Sequence, residues 1–391
     1  MRILKPVLIV IVVITSSTII VSRLLNHSTV VQAIPVQIQR RQMLLHDNLV
    51  LQDYDSYTGA LIASRGASVY ISNDTGRTFE KLYTMPIPRS IPFLLSRFGF
   101  FRNIVGFHEV IEALVVGPNK HLITYGSQMF RWSENEGLKK LEHTIRRLGG
   151  NKYLLSQSIE QLPDGRIVYG EYGRNSDFDS IQVFISSDTG KTWRRKYRFA
   201  PNTIRHIHTV RYDPYDSLLW IGTGDINEHV ILGTLSDNEL NVIREGDQYY
   251  RVVSLIFDED YVYWGTDSPD IDTNYVFYFN RSEDTVVAMG AVNGPIWYST
   301  QTLNGTIYLG TAHETIGIGM HNDSVSVWNI DSHRQLNKVL SIKRDLGQRR
   351  HSIIRFPKTD GVPVLCFSVH NSALGGSVTF IENNNICYKE N

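Results

Sequence analysis

The sequence predicts an all-β fold, a seven-bladed β-propeller of four-stranded antiparallel blades behind an N-terminal transmembrane or signal segment. Three observations carry this expectation. A phrase of roughly 45 residues recurs along the 391-residue chain, the spacing of a repeated four-stranded unit. Within it one strand keeps closing on an aromatic or aliphatic residue followed by Gly-Thr or a near equivalent. The copies are IVYGEY (Ile167 to Tyr172), LWIGTGD (Leu219 to Asp225), VYWGTD (Val262 to Asp267) and IYLGTAH (Ile307 to His313), with weaker ones ending at Ser127 and His370. A polar turn follows, clearest at SNDTGRTF (Ser72 to Phe79) and SSDTGKTW (Ser186 to Trp193), and degraded around Ser133, Ser236, Glu283, Asn322 and Leu374. Seven such turns imply seven blades.

From the N-terminus, Val7 to Ser22 is an uncharged, mostly apolar run preceded by Arg2 and Lys5. Cationic flanks stay cytoplasmic, so the run reads as a signal-anchor that leaves a single-pass protein with its propeller extracytoplasmic; a cleaved, secreted form is the alternative. Residues 1–34 are assigned to this anchor and a short linker, and 35–391 to one propeller domain, because closed propellers run long as single units. Residues 85–107 form an insertion before the second blade, rich in proline and then apolar, suited to a lid, a membrane-facing patch or a partner contact.

Thirty-nine basic and 39 acidic residues cancel, which removes the broad electrostatic footprint that binding to nucleic acid needs. A monomer is expected. The cysteines, Cys366 and Cys387, fall on the second and fourth strands of the last blade in this reading. Strands about 4.8 Å apart then hold them beyond disulfide reach, and two unpaired thiols are expected. No phosphate loop, CxxC pair or nucleophile elbow appears.

The turns at Ser72–Phe79 and Ser186–Trp193 resemble the Asp-boxes of the BNR-repeat propellers, the second at every fixed position of S-x-D-x-G-x-T-W and the first with Phe79 for Trp. The resemblance implies the propeller fold and a structural role for Ser72, Asp74, Gly76, Phe79, Ser186, Asp188, Gly190 and Trp193. Asp accepts N–H bonds in the turn, Gly supplies positive φ, and the aromatic packs between sheets. The family holds sialidases, other glycosidases, polysaccharide lyases, receptors and assembly factors, so it fixes fold more than chemistry. The sialidase Arg-Ile-Pro motif has no counterpart here.

In a propeller, starts of innermost strands and ends of second strands emerge on one face. That topology gathers His108, His206, His208, Arg251 and Trp297 with Glu171, Tyr172, Asp225, Asp267, His313 and Glu314. Polar residues at so many of these positions mark a functional face, and the resemblance implies a poly- or oligosaccharide substrate or ligand for it. Two chemistries fit. A hydrolase uses two carboxylates among Glu171, Asp225, Asp267 and Glu314. A uronate lyase uses His206 or His208 as base and Tyr172 as acid, with Arg251 neutralising the substrate carboxylate. Catalysis is accordingly assigned to His206, His208, Glu171, Asp225 and Tyr172, and substrate binding to Arg251, Asp267, His108, Trp297, His313 and Glu314. His206-x-His208 is a weak divalent-metal signal that needs further ligands from His229, Gln248, His313 or His370. The competing class is a non-catalytic receptor, glycan-binding module or assembly factor with the same repeats.

Overall fold

A computed structural model describes residues 29–39, 41–86, 110–150, 154–237, 239–314, 323–345, 351–373 and 377–383. Its regular structure is all strand apart from three single-turn 3-10 helices. Aromatic and β-branched residues fill the strands and Gly, Asn and Asp the turns between them, the distribution pleated half-buried surfaces favour.

Each repeat forms an antiparallel ladder in chain order. Val50–Asp55, Ala60–Arg65, Ser68–Ser72 and Thr78–Thr84 make the first sheet, with Val30–Gln32 added at its edge. Val110–Gly117, Lys120–Tyr125, Gln128–Ser133 and Gly137–Thr144 make the second. The third runs from Ile159–Gln161 through Ile167–Gly170 and Gln182–Ser186 to Arg194–Arg198. The fourth contains Ile207–Asp213, Leu218–Thr223, Ile231–Ser236 and Glu239–Glu245, and the fifth Val252–Phe257, Tyr261–Thr266, Asn274–Asn280 and Thr285–Val292. The remaining nine strands hydrogen-bond into one sheet. One part is the ladder Ile296–Gln301, Ile307–His313, Ser324–Ile330 and Leu336–Lys343; the other is Ser352–Arg355, Cys366–His370, Val378–Glu382, Arg41–Asp47 and Ile34–Ile38. They join where Ala312 and His313 pair with Ile353 and Ser352.

The core is divided among clusters that each lie between consecutive sheets. Ile181, Val183, Ile207, Val210 and Ile221 pack the third sheet on the fourth, and Trp220, Leu255, Trp264 and Phe277 the fourth on the fifth. The ring closes through Leu49, Leu51 and Tyr70 of the first sheet against Leu44, Cys366 and Ile381 of the last. Because the N-terminal strand Arg41–Asp47 pairs with Val378–Glu382, the fourth strand beside Cys366's sheet is not the segment of Cys387. Cys387 itself lies outside the described residues, and Cys366 is a buried free thiol. The first sheet also takes in Val30–Gln32, upstream of a boundary at 34/35.

The two sharpest turns carry the hydrogen bonds their sequences imply. Asp74 accepts from Ser72 Oγ at 2.8 Å, Thr78 Oγ1 at 2.6 Å and Thr78 N at 3.0 Å; Asp188 accepts from Ser186 Oγ at 2.8 Å, Thr192 Oγ1 at 2.6 Å and Thr192 N at 2.9 Å. Gly76 has φ +79°, and a Cβ there would lie 2.0 Å from Ile381 Cδ1 of the closing ladder. Phe79 is fully buried edge-on to His46, and Trp193 packs on Tyr169 while donating to Gly190 O at 2.9 Å. Two turns differ from their sequence placement. The third-to-fourth-strand turn expected around Asn322 lies at Asp331–Gln335, where Asp331 Oδ1 accepts from His333 N and Gln335 N. Leu374 lies outside the described residues, and the strands on either side of it, Cys366–His370 and Val378–Glu382, are the second and third of the last ladder.

Among the described residues no helix is long and apolar enough to cross a membrane. The apolar run Val7–Ser22 lies outside them, as does the insertion beyond Pro86.

Candidate functional site

The strand Ile207–Asp213 begins with a bulge, the register to its neighbour slipping between Ile207 and Thr209. Bulges re-aim side chains at sheet ends, and this one sits between two buried histidines. The His206 and His208 rings lie 4.8 Å apart with Nε2 atoms at 2.9 Å. His206 Nδ1 donates to Gly173 O at 2.6 Å, which leaves its Nε2 as the lone pair when neutral. His208 Nδ1 stands 3.5 Å from Asp267 Oδ2. That contact is beyond hydrogen-bond length and leaves Nδ1 without a partner among the described residues, so the neutral ring carries its proton on Nε2 and donates it to His206 Nε2. One Nε2–H···Nε2 hydrogen bond thus joins the neutral pair, and a proton or a cation arriving between the rings would replace it.

Asp225 completes the triad. Its Oδ1 is 3.4 Å from both Nε2 atoms. It follows Leu218–Thr223 at φ +112°, a conformation few non-glycine residues adopt and one found where surroundings over-determine the backbone. Here Arg251 Nη1 donates to Asp225 O at 3.1 Å and Gln248 Nε2 to the same oxygen at 3.2 Å, while Arg205 Nη1 reaches Oδ2 at 3.0 Å. Burial works against the Asp225 carboxylate, but the hydrogen bonds and positive charge that His206 and His208 offer it when protonated outweigh burial and hold the carboxyl well below its usual range. Burial lowers His208 against the opposing pull of Asp225.

Tyr172 covers the pair, its ring centroid 4.2 Å from His206 and 6.2 Å from His208. Burial, then the charges of Asp225 and Asp267, raise its phenol well above the usual value. Arg251 links the two acids, with Nη2 3.4 Å from Asp225 Oδ1 and Nε 3.3 Å from Asp267 Oδ2. Trp297 Nε1 donates to Asp267 Oδ1 at 2.5 Å, which makes it a support of the acid. Glu314 lies close enough for its charge to act on Tyr172 and Arg251.

Glu171 is elsewhere. It neighbours Tyr172 in sequence, but its carboxylate receives Arg146 Nε and Nη2, each at 2.8 Å, and Gln182 N at 2.9 Å. A bidentate guanidinium and a backbone N–H occupy both oxygens, so Glu171 is a tie between the third sheet and the segment leaving the second, and not a group available to a substrate. The same accounting weakens the two-carboxylate arrangement. Asp225 and Asp267 have both oxygens engaged, and Asp225 is held in its charged form. His313 is buried with Nε2 2.5 Å from Arg344 Nη1. His108 lies outside the described residues. Arg205 adjoins the HxH string, and its link to Asp225 is the contact that composition alone did not assign.

The three donors suit a divalent metal. His206 Nε2, His208 Nε2 and an Asp225 oxygen lie within 4.8 Å of one another. Donors bound at about 2.0–2.2 Å to one ion stand roughly 3–3.5 Å apart, close to the 2.9 and 3.4 Å separations here. Each imidazole also has a carbonyl or carboxylate behind its far nitrogen, the outer-shell pattern of metal-binding histidines.

The fold places the chain among propeller-like proteins. Solved structures similar to it include an oligogalacturonate lyase from Vibrio parahaemolyticus, 9% identical over 90% of this chain and 97% of that one, with TM-score 0.57. An oligogalacturonate lyase in complex with manganese is 7% identical over 90% and 96%, with TM-score 0.56. A chain of a mitotic checkpoint complex is 9% identical over 85% and 89%, with TM-score 0.53. Identities this low bear on fold alone. Neither a family model nor a curated protein matches the chain significantly.

Proposed function

We propose that this chain is an exported, membrane-tethered seven-bladed propeller of the BNR type whose His206 face cleaves a uronate-containing oligosaccharide by β-elimination. The observation that carries the reading is the convergence of His206 Nε2, His208 Nε2 and Asp225 Oδ1 beneath the Tyr172 ring. His206 Nε2 carries the lone pair of the neutral pair and is the base, and Asp225, 3.4 Å from both Nε2 atoms, stabilises the imidazolium that forms. Arg205, with about a third of its side chain exposed, is the cation a substrate carboxylate reaches, since Arg251 is committed to Asp225 and Asp267. The pair takes the proton alpha to the carboxylate. The C–H electron pair becomes the new C=C bond, the bond from the beta carbon to the glycosidic oxygen breaks, and that oxygen takes the Tyr172 phenolic proton. The imidazole proton returns to the tyrosinate.

Were His206, His208 and Asp225 to hold a divalent ion, it would supply neutralisation of the carboxylate and acidify the adjacent C–H. Metal and proton exclude one another on the same lone pairs, so a chelator separates the two states. The non-catalytic reading has one observation in its favour: every oxygen of Glu171, Asp225 and Asp267 is already engaged, as in structural ties.

The test is full-length protein in detergent with oligogalacturonate, alginate and neutral oligosaccharides, following new reducing ends and conjugated-uronate absorbance together, with and without EDTA. Both signals are expected to rise with a uronate and to vanish in His208→Ala. Reducing ends alone point to hydrolysis, and silence from folded protein to the non-catalytic class.

A further inference from the structure

At the opposite end of the axis, on the face bearing the turns of Asp74 and Asp188, a second cavity opens with a volume of about 360 Å³. It is lined by inner-strand ends from all round the ring: Tyr54 and Tyr57, Val115, Glu160, Arg211 with Tyr212 and Tyr215, Phe257, Gln301, and Lys358 to Asp360. Its size falls within the range of small-molecule sites.

The floor is a closed set of charges. Arg211 donates to Asp360 Oδ2 at 2.6 Å and lies 3.4 Å from Glu160 Oε2, and Lys358 Nζ is 3.2 Å from the same Glu160 oxygen. Gln157 Oε1 accepts from Lys358 at 3.2 Å, and Gln301 N donates to Asp360 Oδ1 at 3.0 Å. These two cations and two anions cancel, and a third buried acid, Asp53, is held by backbone N–H groups, from Val115 at 2.7 Å and Thr359 at 2.8 Å. A charged ligand would therefore have to break internal pairs to gain anything, whereas a neutral ligand can hydrogen-bond to the remaining edges of Glu160 and Asp360. The rim is aromatic. Tyr57 and Tyr215 are 59% and 51% exposed, and Tyr54 and Tyr212 are partly buried beside them. None of the four hydroxyls hydrogen-bonds within the described residues.

We propose that this cavity is a second, non-catalytic site for a neutral saccharide unit. A pyranose presents an apolar C–H face, which a tyrosine ring covers, and vicinal hydroxyls that each donate and accept. The exposed rings supply the first requirement, and paired carboxylate and guanidinium edges the second. Placed across the ring from His206, the site would hold a chain segment without competing for the funnel. It stands whether or not the His206 face is catalytic.

The test is saturation-transfer NMR on full-length protein in detergent with xylotriose, cellotriose, maltotriose and N-acetylglucosamine trimer, followed by titration of any binder. At least one probe is expected to bind. Tyr215→Ala and Tyr57→Ala, both at exposed positions that leave the network intact, should each weaken it at least about fivefold, while His208→Ala changes it less than twofold. Saturation by none of the four probes, affinity indifferent to both tyrosines, or affinity lost in His208→Ala would each overturn the proposal.

Discussion

The two ends of the axis are built from the same kinds of residue and reach opposite electrostatic outcomes. Around Arg211 and Lys358 each of these cations meets Glu160 or Asp360 within hydrogen-bond or ion-pair distance, and the neighbouring Asp53 is held by backbone N–H groups. Around His206 the acids are equally well held, yet the two imidazole Nε2 atoms, 2.9 Å apart, hold each other by a single hydrogen bond that a proton or a metal can displace. The difference teaches that buried charge alone does not mark a site. What marks a reactive site is a group that can exchange a proton or a metal, and what marks the binding site proposed at the closed end is its exposed tyrosine rings.

Substitutions at the closed end should register mainly as stability. Arg211→Ala leaves Asp360 without its cation and Glu160 with Lys358 alone, and removes the donor to Lys358 O, so a loss of about 3–5 kcal/mol in chemical denaturation is expected, the range for breaking buried pairs. A loss under about 1 kcal/mol would mean the network is ornamental and would erase the contrast between the ends.

Protonation sharpens the comparison because the groups along the axis titrate in opposite senses. Burial raises Glu112 to about 7 despite Arg355. Its raised folded value means its contribution is present in full below the unfolded value near 4.5 and is lost as pH rises through about 7. His208 is lowered, so its contribution is present above about 6.5 and is lost as pH falls through its depressed folded value. Glu112→Gln should flatten the alkaline fall, a difference on the order of 2–3 kcal/mol between pH 4.5 and 8. An unchanged slope would place the titration elsewhere.

The ring's closure is more local. Gly76→Ala forces a Cβ onto Ile381 and into positive φ, and should lower stability by about 1–3 kcal/mol. Gly190→Ala, whose Cβ would meet Leu122 Cδ1 at 2.8 Å, should lower it less. The smallest stability effect is expected at the open end. Tyr172→Phe removes a hydroxyl with no hydrogen bond among the described residues, so stability should move by less than about 0.5 kcal/mol. If elimination occurs here, its rate should drop by about 100-fold or more. A loss of activity accompanied by unfolding would put Tyr172 with the structural residues.

The repeated strands were legible because each copy carries its own local signal, alternating apolar residues ending in Gly-Thr. The gathering of His206, His208, Tyr172, Asp225, Arg251, Asp267 and Trp297 was legible for the same reason, since strand ends share a face. Glu171 shows the limit: neighbours at a strand end point opposite ways, and only the position of Arg146 decides which of Glu171 and Tyr172 meets the histidines. Lys358 and Asp360 carry no periodic signal, lying in the irregular stretch between Arg355 and Cys366. Cys366's neighbouring strand was misplaced because its pairing is non-local, and a reading of local period does not see a strand supplied from the far end of the chain.

That far pairing bears on how the protein is made. Arg41 donates to Glu382 across a sequence separation of 341 residues, in a ladder zipped by Met43 to Asp47 against Val378 to Glu382. During synthesis the first strands emerge long before their partners, so the ring remains an open crescent with two unpaired edges until the last strands arrive. The final annealing step is slow by topology, and until it occurs each edge can template pairing with another nascent chain. Assembly quality in the cell would therefore turn on protecting that crescent.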